Sequence, residues 1–193
     1  YYTVDDQGSI DILAKGPGYW FDGVDDTITV PDSDDLSFGD GTTDNPFSIV
    51  AKVKPLELTN FHIAYKATSG ATNREYRLGT DVSDKWQLFC GDDSASASIA
   101  RVADSAETSS VPMVITATYD GSSASTGMIL YTNSKVIPSS QNDSGSYTAM
   151  ENEGGNLFLG NNGGTQFSKG ECYEELYFNL ALDPTDPTDK AII

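Results

Sequence analysis

Strict alternation limits what this chain can fold into. In Phe47-Ser48-Ile49-Val50-Ala51-Lys52-Val53-Lys54, the residues Phe47, Ile49, Ala51 and Val53 fall on one side. Met113 to Tyr119 repeats the pattern with Met113, Ile115, Ala117 and Tyr119. Successive side chains of a strand point to opposite faces, so period two implies a strand with one buried face. Val50, Lys52, Thr116 and Thr118 then occupy the opposite faces. Shorter runs of the same kind are Ser9 to Leu13, Tyr19 to Phe21, Thr27 to Val30, Phe61 to Lys66, Tyr76 to Gly79 and Trp86 to Cys90. Ser98 to Val102, Met128 to Thr132, Asn156 to Leu159 and Glu171 to Phe178 complete the set. Between them lie turn formers such as Asp22-Gly23, Asp40-Gly41, Ser69-Gly70, Asp120-Gly121 and Asn162-Gly163-Gly164. Asp, Asn and Gly suit such places because they tolerate left-handed backbone or cap it with their own side chains. No segment keeps a 3.6-residue period over three turns. Many short strands at regular spacing predict an all-β fold, an antiparallel two-sheet sandwich.

With 193 residues, 38% of them hydrophobic, the chain has the material for one core. Eleven basic residues against 29 acidic ones give a net charge of −18, which repels nucleic acid and anionic membrane surfaces. No apolar run is long enough to span a bilayer. The chain begins at Tyr1 without a basic start and apolar centre, as expected of a processed product or a fragment. Cys90 and Cys172 lie in apolar runs and suit buried thiols, with a single bridge between them as the alternative. The Asp183 to Asp189 run, with Pro184 and Pro187, cannot continue a strand and reads as an extended or loosely turning tail leaving the domain.

Several segments resemble a known family. Tyr19-Trp20-Phe21-Asp22-Gly23 through Pro31 is similar to the opening strand pair of concanavalin A-like, laminin G-type jelly-roll domains. Phe47 to Pro55 resembles the family's next long strand, and Tyr119-Asp120-Gly121-Ser122 with Ile129 to Asn133 its central hairpin. Leu157 to Asn161 and Gly170 to Leu182 resemble its last two strands. The resemblance implies a jelly-roll domain over residues 18–183, preceded by a strand or linker segment (1–17) and followed by a tail (184–193). Leu36 to Ile49 and Gly145 to Asn152 look like such domains in structural proteins of marine tailed phages. The chain departs from the family at Lys52 and at Val111-Pro112, where aromatics are usual, and at the Asn133-Ser134 turn.

The chemistry follows from residue types. A Ser-His-Asp arrangement needs a histidine, and the only one, His62, sits in a strand-like run. Glycosidases need two carboxylates facing each other across the cleaved bond. The Glu-x-Asp-x-x-Glu spacing of jelly-roll glucanases is absent, Glu151-Asn152-Glu153 falls in a loop, and Glu171, Glu174 and Glu175 fall where the family carries structural residues. The reading is non-catalytic. The resemblance implies a structural calcium between an early loop and the last strand, with Asp22, Asp44 and Glu174 as its candidates. Sugar binding uses aromatic faces with Asn and Asp side chains, and Tyr76, Tyr131, Asn133, Asn161 and Asn162 are candidates by type. Trp86 qualifies as well, but it alternates with Leu88 and Cys90 and reads as core. The expected function is therefore a lectin-like adhesion module for cell-surface or environmental polysaccharide. It would be displayed in many copies or as a homo-oligomer on a virion or in the extracellular space, beside other virion structural proteins. A purely structural decoration or fibre domain is the alternative.

Overall fold

The alternating segments pair as the pattern requires in the computed structural model, which describes residues 2–4, 9–13, 18–68, 73–108 and 110–189. In chain order the first strands are β1 (Tyr2–Val4), β2 (Ser9–Leu13), β3 (Tyr19–Asp22), β4 (Ile28–Val30), β5 (Phe47–Glu57), β6 (His62–Ala67), β7 (Arg74–Thr80) and β8 (Trp86–Asp92). There follow β9 (Ala97–Ala103), β10 (Met113–Tyr119), β11 (Met128–Thr132), β12 (Lys135–Val136), β13 (Ser139–Gln141), β14 (Asn156–Leu159) and β15 (Lys169–Phe178). No α-helix occurs among the described residues. One sheet runs β1-β2-β15-β5-β10-β11-β12, with β3 also on β15; the other runs β13-β9-β8-β7-β6-β14-β4. The pairings of the long strands, such as β10 on β5 and β8 on β7, are antiparallel.

The register puts Ile115 opposite Ala51, Ala117 opposite Ile49 and Tyr119 opposite Phe47, all facing inward and buried. Trp86, Leu88 and Cys90 face them from the second sheet. At one end Phe38 stacks on Phe47 with centroids 4.4 Å apart, and Tyr119 meets Phe47 edge-on at 5.8 Å. Offset stacks and edge contacts of this kind add about 0.5–1.5 kcal/mol beyond area burial. Strand β5 runs past Pro55 because β15 is irregular there, between Lys169 and Gly170. Gly170 is required at that point: a Cβ would lie 2.5 Å from the Lys54 carbonyl oxygen.

Two features refine the sequence reading. Val50, Thr116 and Thr118 do sit on the face opposite the core, yet they are buried. The chain just before the Asp183 to Asp189 run is packed down on the eight-stranded sheet, and the run itself takes the turning form of the two expected for it, not the extended one. Ser48 Oγ donates to the Leu180 carbonyl and accepts from the Leu182 amide, each at 2.8 Å. Leu182 thereby packs on Val50 and Phe178. Beyond it, Asp183 accepts from Thr185 and Asp186 from Thr188, so the proline-rich run coils into consecutive turns. Proline removes a ladder donor but not the capacity for turns, and the Asp side chains supply the caps. The Ser69-Gly70 turn and residues 190–193 lie outside the described residues.

Both cysteines are free and buried, Cys90 in one sheet and Cys172 in the other. Cys172 Sγ donates to Glu175 Oε1 at 3.2 Å, and the Tyr177 hydroxyl donates to Oε2 at 2.9 Å. Glu175 is thus an interior carboxyl with no cation paired to it among the described residues, and burial raises its pKa to about 8. A second buried charge is resolved differently. Lys66, fully enclosed, donates to Asp32, to Glu75 and to the Gly155 carbonyl. Buried charges persist where partners of this kind replace water.

Candidate functional site

Four of the five residues proposed for sugar binding, Tyr76, Tyr131, Asn161 and Asn162, are buried, and Asn133 is exposed. Tyr76 is wholly buried inside the sandwich, donating to the Leu36 carbonyl at 3.0 Å. It alternates with Leu78 on β7, and that face is the core. Tyr131 lies on the outer face of β11 but is 3% exposed, in the region covered by the C-terminal segment, where burial and Asp183 raise its phenol. Asn133 takes left-handed backbone in the β11–β12 turn and accepts from the Val114 amide. Asn161 and Asn162 are buried and hold their own loop. Asn161 donates to the Gly164 and Gln166 carbonyls, and Asn162 accepts from the Gly164 and Gln166 amides. Trp86 is core, as its alternation implied.

The residues implied for calcium do not come together either. Asp22 pairs with Lys169 on β15, and Glu174 lies five residues further along that strand, roughly 17 Å at the usual strand rise. Asp44 belongs to the opposite end of β5, beside Tyr119. It is sealed and fully engaged, accepting from the Tyr119 and Tyr147 hydroxyls at 2.6 and 2.8 Å and from the Met150 amide at 2.8 Å. Three such bonds make it a structural anchor for the 147–150 segment. Asp22 groups instead with Asp25 and Asp26, whose carboxylates lie within 4.8 Å of one another. These side chains are turned on their own loop: Asp22 accepts from Val24 and Asp25 amides, and Asp26 accepts from the Asp22 amide.

His62 offers no acid–base chemistry. It is buried edge-on against Tyr65, and burial, reinforced by Arg77, lowers its pKa to about 4. It is neutral at any ordinary pH.

The feature that can meet a ligand is an open cleft of about 730 Å³ on the outer side of the seven-stranded sheet. Its floor is Phe89, which points away from the core because Leu88 and Cys90 point into it. The guanidinium of Arg74 lies 4.4 Å from the Phe89 ring centroid, and that of Arg77 lies 5.4 Å away. One wall is the β8–β9 turn with Ser94 and Ser96, continued by Ser98 at the start of β9; the other carries Glu151 and Glu153. The walls are tied together. Glu151 accepts from the Asp93 amide at 2.7 Å and from the Ser94 amide at 3.0 Å. Ser98 and Ser144 exchange backbone bonds at 2.8 and 2.9 Å. Asn73 donates to Glu153 across the rim at 3.3 Å. Asp93 also lines the cleft, where burial and then the Glu153 and Glu151 charges raise its pKa. The result is a rigid, shallow trough of hydroxyls, carboxylates, an amide and a guanidinium.

None of the five sugar candidates by type lines it. The signals for it were the Ser94 to Ser98 tract and the Glu151-Asn152-Glu153 step, both readable only as loops. What joins them is the long-range bridge between Ser98 and Ser144, which no local pattern announces.

No protein-family model matches the sequence, and no curated protein matches it. Solved structures do. The CBM40 module of Ruminococcus gnavus IT-sialidase, bound to α2,3-sialyllactose, superposes with a TM-score of 0.56 at 12% identity, covering 88% of this chain and 98% of that one. Domain 4 of AbnA, a GH43 extracellular arabinanase from Geobacillus stearothermophilus, in complex with arabinotriose, gives 0.56 at 16% identity, covering 97% and 79%. NanB sialidase of Streptococcus pneumoniae, as its K499G mutant, gives 0.57 at 16% identity, and this chain spans 27% of its length. The likeness is one of fold. It bears out the antiparallel sandwich read from the alternation and the jelly roll that the resemblance implied.

Proposed function

We propose that this chain is a non-catalytic glycan-binding module whose ligand lies in the Phe89–Arg74 cleft. The observation that carries the reading is the cleft itself: hydroxyl, amide, carboxylate and guanidinium groups converge on one open trough of sugar size. Fold relatives in complex with sialyllactose and arabinotriose support it. The carboxylates are arranged for holding rather than for cleavage. Both oxygens of Glu151 are occupied by backbone amides, which leaves it no proton to give to a leaving group.

A shallow, open cleft gives weak single-site affinity, and many copies on one particle would raise avidity by roughly 10²–10⁴. The setting in this reading is the surface of a virion or another extracellular assembly, where salt screens a chain of charge −18.

Retention of the domain on a panel of immobilised polysaccharides tests the reading, with Arg74→Ala as the comparison. Loss of retention in the variant, at an unchanged melting temperature, is the expected result. Absence of retention for the parent on every glycan, as monomer and as artificial oligomer, would leave the chain a structural domain.

A further inference from the structure

The charges around the cleft restrict what it can hold. Among the described residues Arg74 is the one basic residue lining it, against Asp93, Glu151 and Glu153. Its guanidinium is directed over Phe89 rather than toward the opposite wall. Glu151 spends its oxygens on the Asp93 and Ser94 amides but keeps its charge in place. Asp93 is the atom-level irregularity. Its Oδ2 is buried and has no hydrogen-bond partner among the described residues. A buried, unsatisfied carboxylate oxygen costs free energy until a donor reaches it. Glu153 stands on the same rim, bonded through Oε2 to Asn73.

An acidic sugar entering this trough would bring a fourth carboxylate to three. A sugar with an ammonium group would bring the missing donor and the opposite charge together. Resting on the glycan-binding reading above, we infer that the cleft takes a sugar unit bearing a protonated amine, held by Asp93 and Glu153, and excludes acidic sugars. The ring hydroxyls of such a unit meet Ser94, Ser96 and Ser98 along the wall, and its carbon face meets the Phe89–Arg74 floor.

The experiment is calorimetric titration of the full chain at pH 6 and low salt with three probes: a glucosamine trimer, its N-acetylated counterpart and 3′-sialyllactose. Acetylation removes the charge and leaves the sugar skeleton, so the pair isolates the ammonium. Charge-assisted hydrogen bonds are roughly twice as strong as neutral ones, and the amine form should bind about tenfold tighter than the acetylated form. Sialyllactose should not bind measurably.

Because the whole chain is acidic, general attraction must be separated from the site. Asp93→Asn and Glu153→Gln should each reduce the preference to under about threefold. Asp186→Asn, in the C-terminal turns, should leave it unchanged. Equal binding of amine and acetylated trimers, tighter binding of sialyllactose, or an equal loss in Asp186→Asn would each overturn the inference while glycan binding stood. No binding of any probe, together with no retention on the polysaccharide panel, would overturn the underlying reading instead.

Discussion

Glu175 makes the stability of this domain depend on pH in an unusual direction. Its carboxyl is fully enclosed, bonded among the described residues to Cys172 and Tyr177, and its pKa rises from an ordinary 4.5 to about 8 because burial disfavours the ion. The folded protein therefore keeps a proton that the unfolded chain releases. Stability falls wherever the folded state binds more protons than the unfolded state as pH increases. The contribution of this group is complete below about pH 4.5, declines through neutral pH and is exhausted above about pH 8. At about 1.4 kcal/mol per pKa unit, the whole span is worth about 5 kcal/mol. Glu175→Gln keeps the size and polarity of the side chain and cannot ionise. Urea unfolding of parent and variant at fixed pH values from 5 to 9 should show the variant gaining on the parent by about 1.4 kcal/mol per pH unit up to about pH 8, then running parallel. Taking the difference cancels the many surface carboxylates, which titrate equally in both. If the two stability profiles are parallel across neutral pH, Glu175 is ionised in the folded state and the argument from burial fails.

Other substitutions test the remaining buried features. Lys66→Ala leaves Asp32 and Glu75 without their shared cation and should cost about 3–5 kcal/mol in denaturant unfolding; a loss under 1 kcal/mol would mean water reaches the pair. Ile49→Asp, at the centre of β5, should abolish cooperative melting, since a fully buried Ile is worth about 1.5–3 kcal/mol even before a charge is put there. A normal melt would show the β5 register to be wrong. Leu182→Ala should cost about 2 kcal/mol or more and expose Val50 and Phe178, read as increased binding of a hydrophobic dye. An unchanged melt would show that the C-terminal segment is not packed down.

The strands that carry the core were legible because each buries a whole face. Met113–Tyr119 and Met128–Thr132 occupy the residues that alternation predicts. The strands it missed among the described residues are Tyr2–Val4, Lys135–Val136 and Ser139–Gln141, edge elements of two or three residues, too short to create a pattern. Alternation also says which face a residue takes but not what covers that face. Val50 was assigned correctly, yet its burial depends on Phe178 and Leu182, more than 100 residues away in sequence. The site was illegible for a related reason. Residue type suggested Tyr76 and Asn161, whose polar atoms are consumed by the core and by their own loop. The cleft is assembled instead from β7, β8, the β8–β9 turn and the 144–153 segment, and its chemistry exists only after the sheet has formed.

The two sheets divide the labour of attachment and contact. β2, near the start of the chain, pairs with β15, and Leu182, near the other end, is clamped on the same eight-stranded sheet. Phe89 and Arg74 open on the seven-stranded sheet behind it. A tether fused at either terminus, whether a surface-plate linker or an oligomerising scaffold, therefore pulls on the back of the sandwich and leaves the trough facing outward, away from its own support.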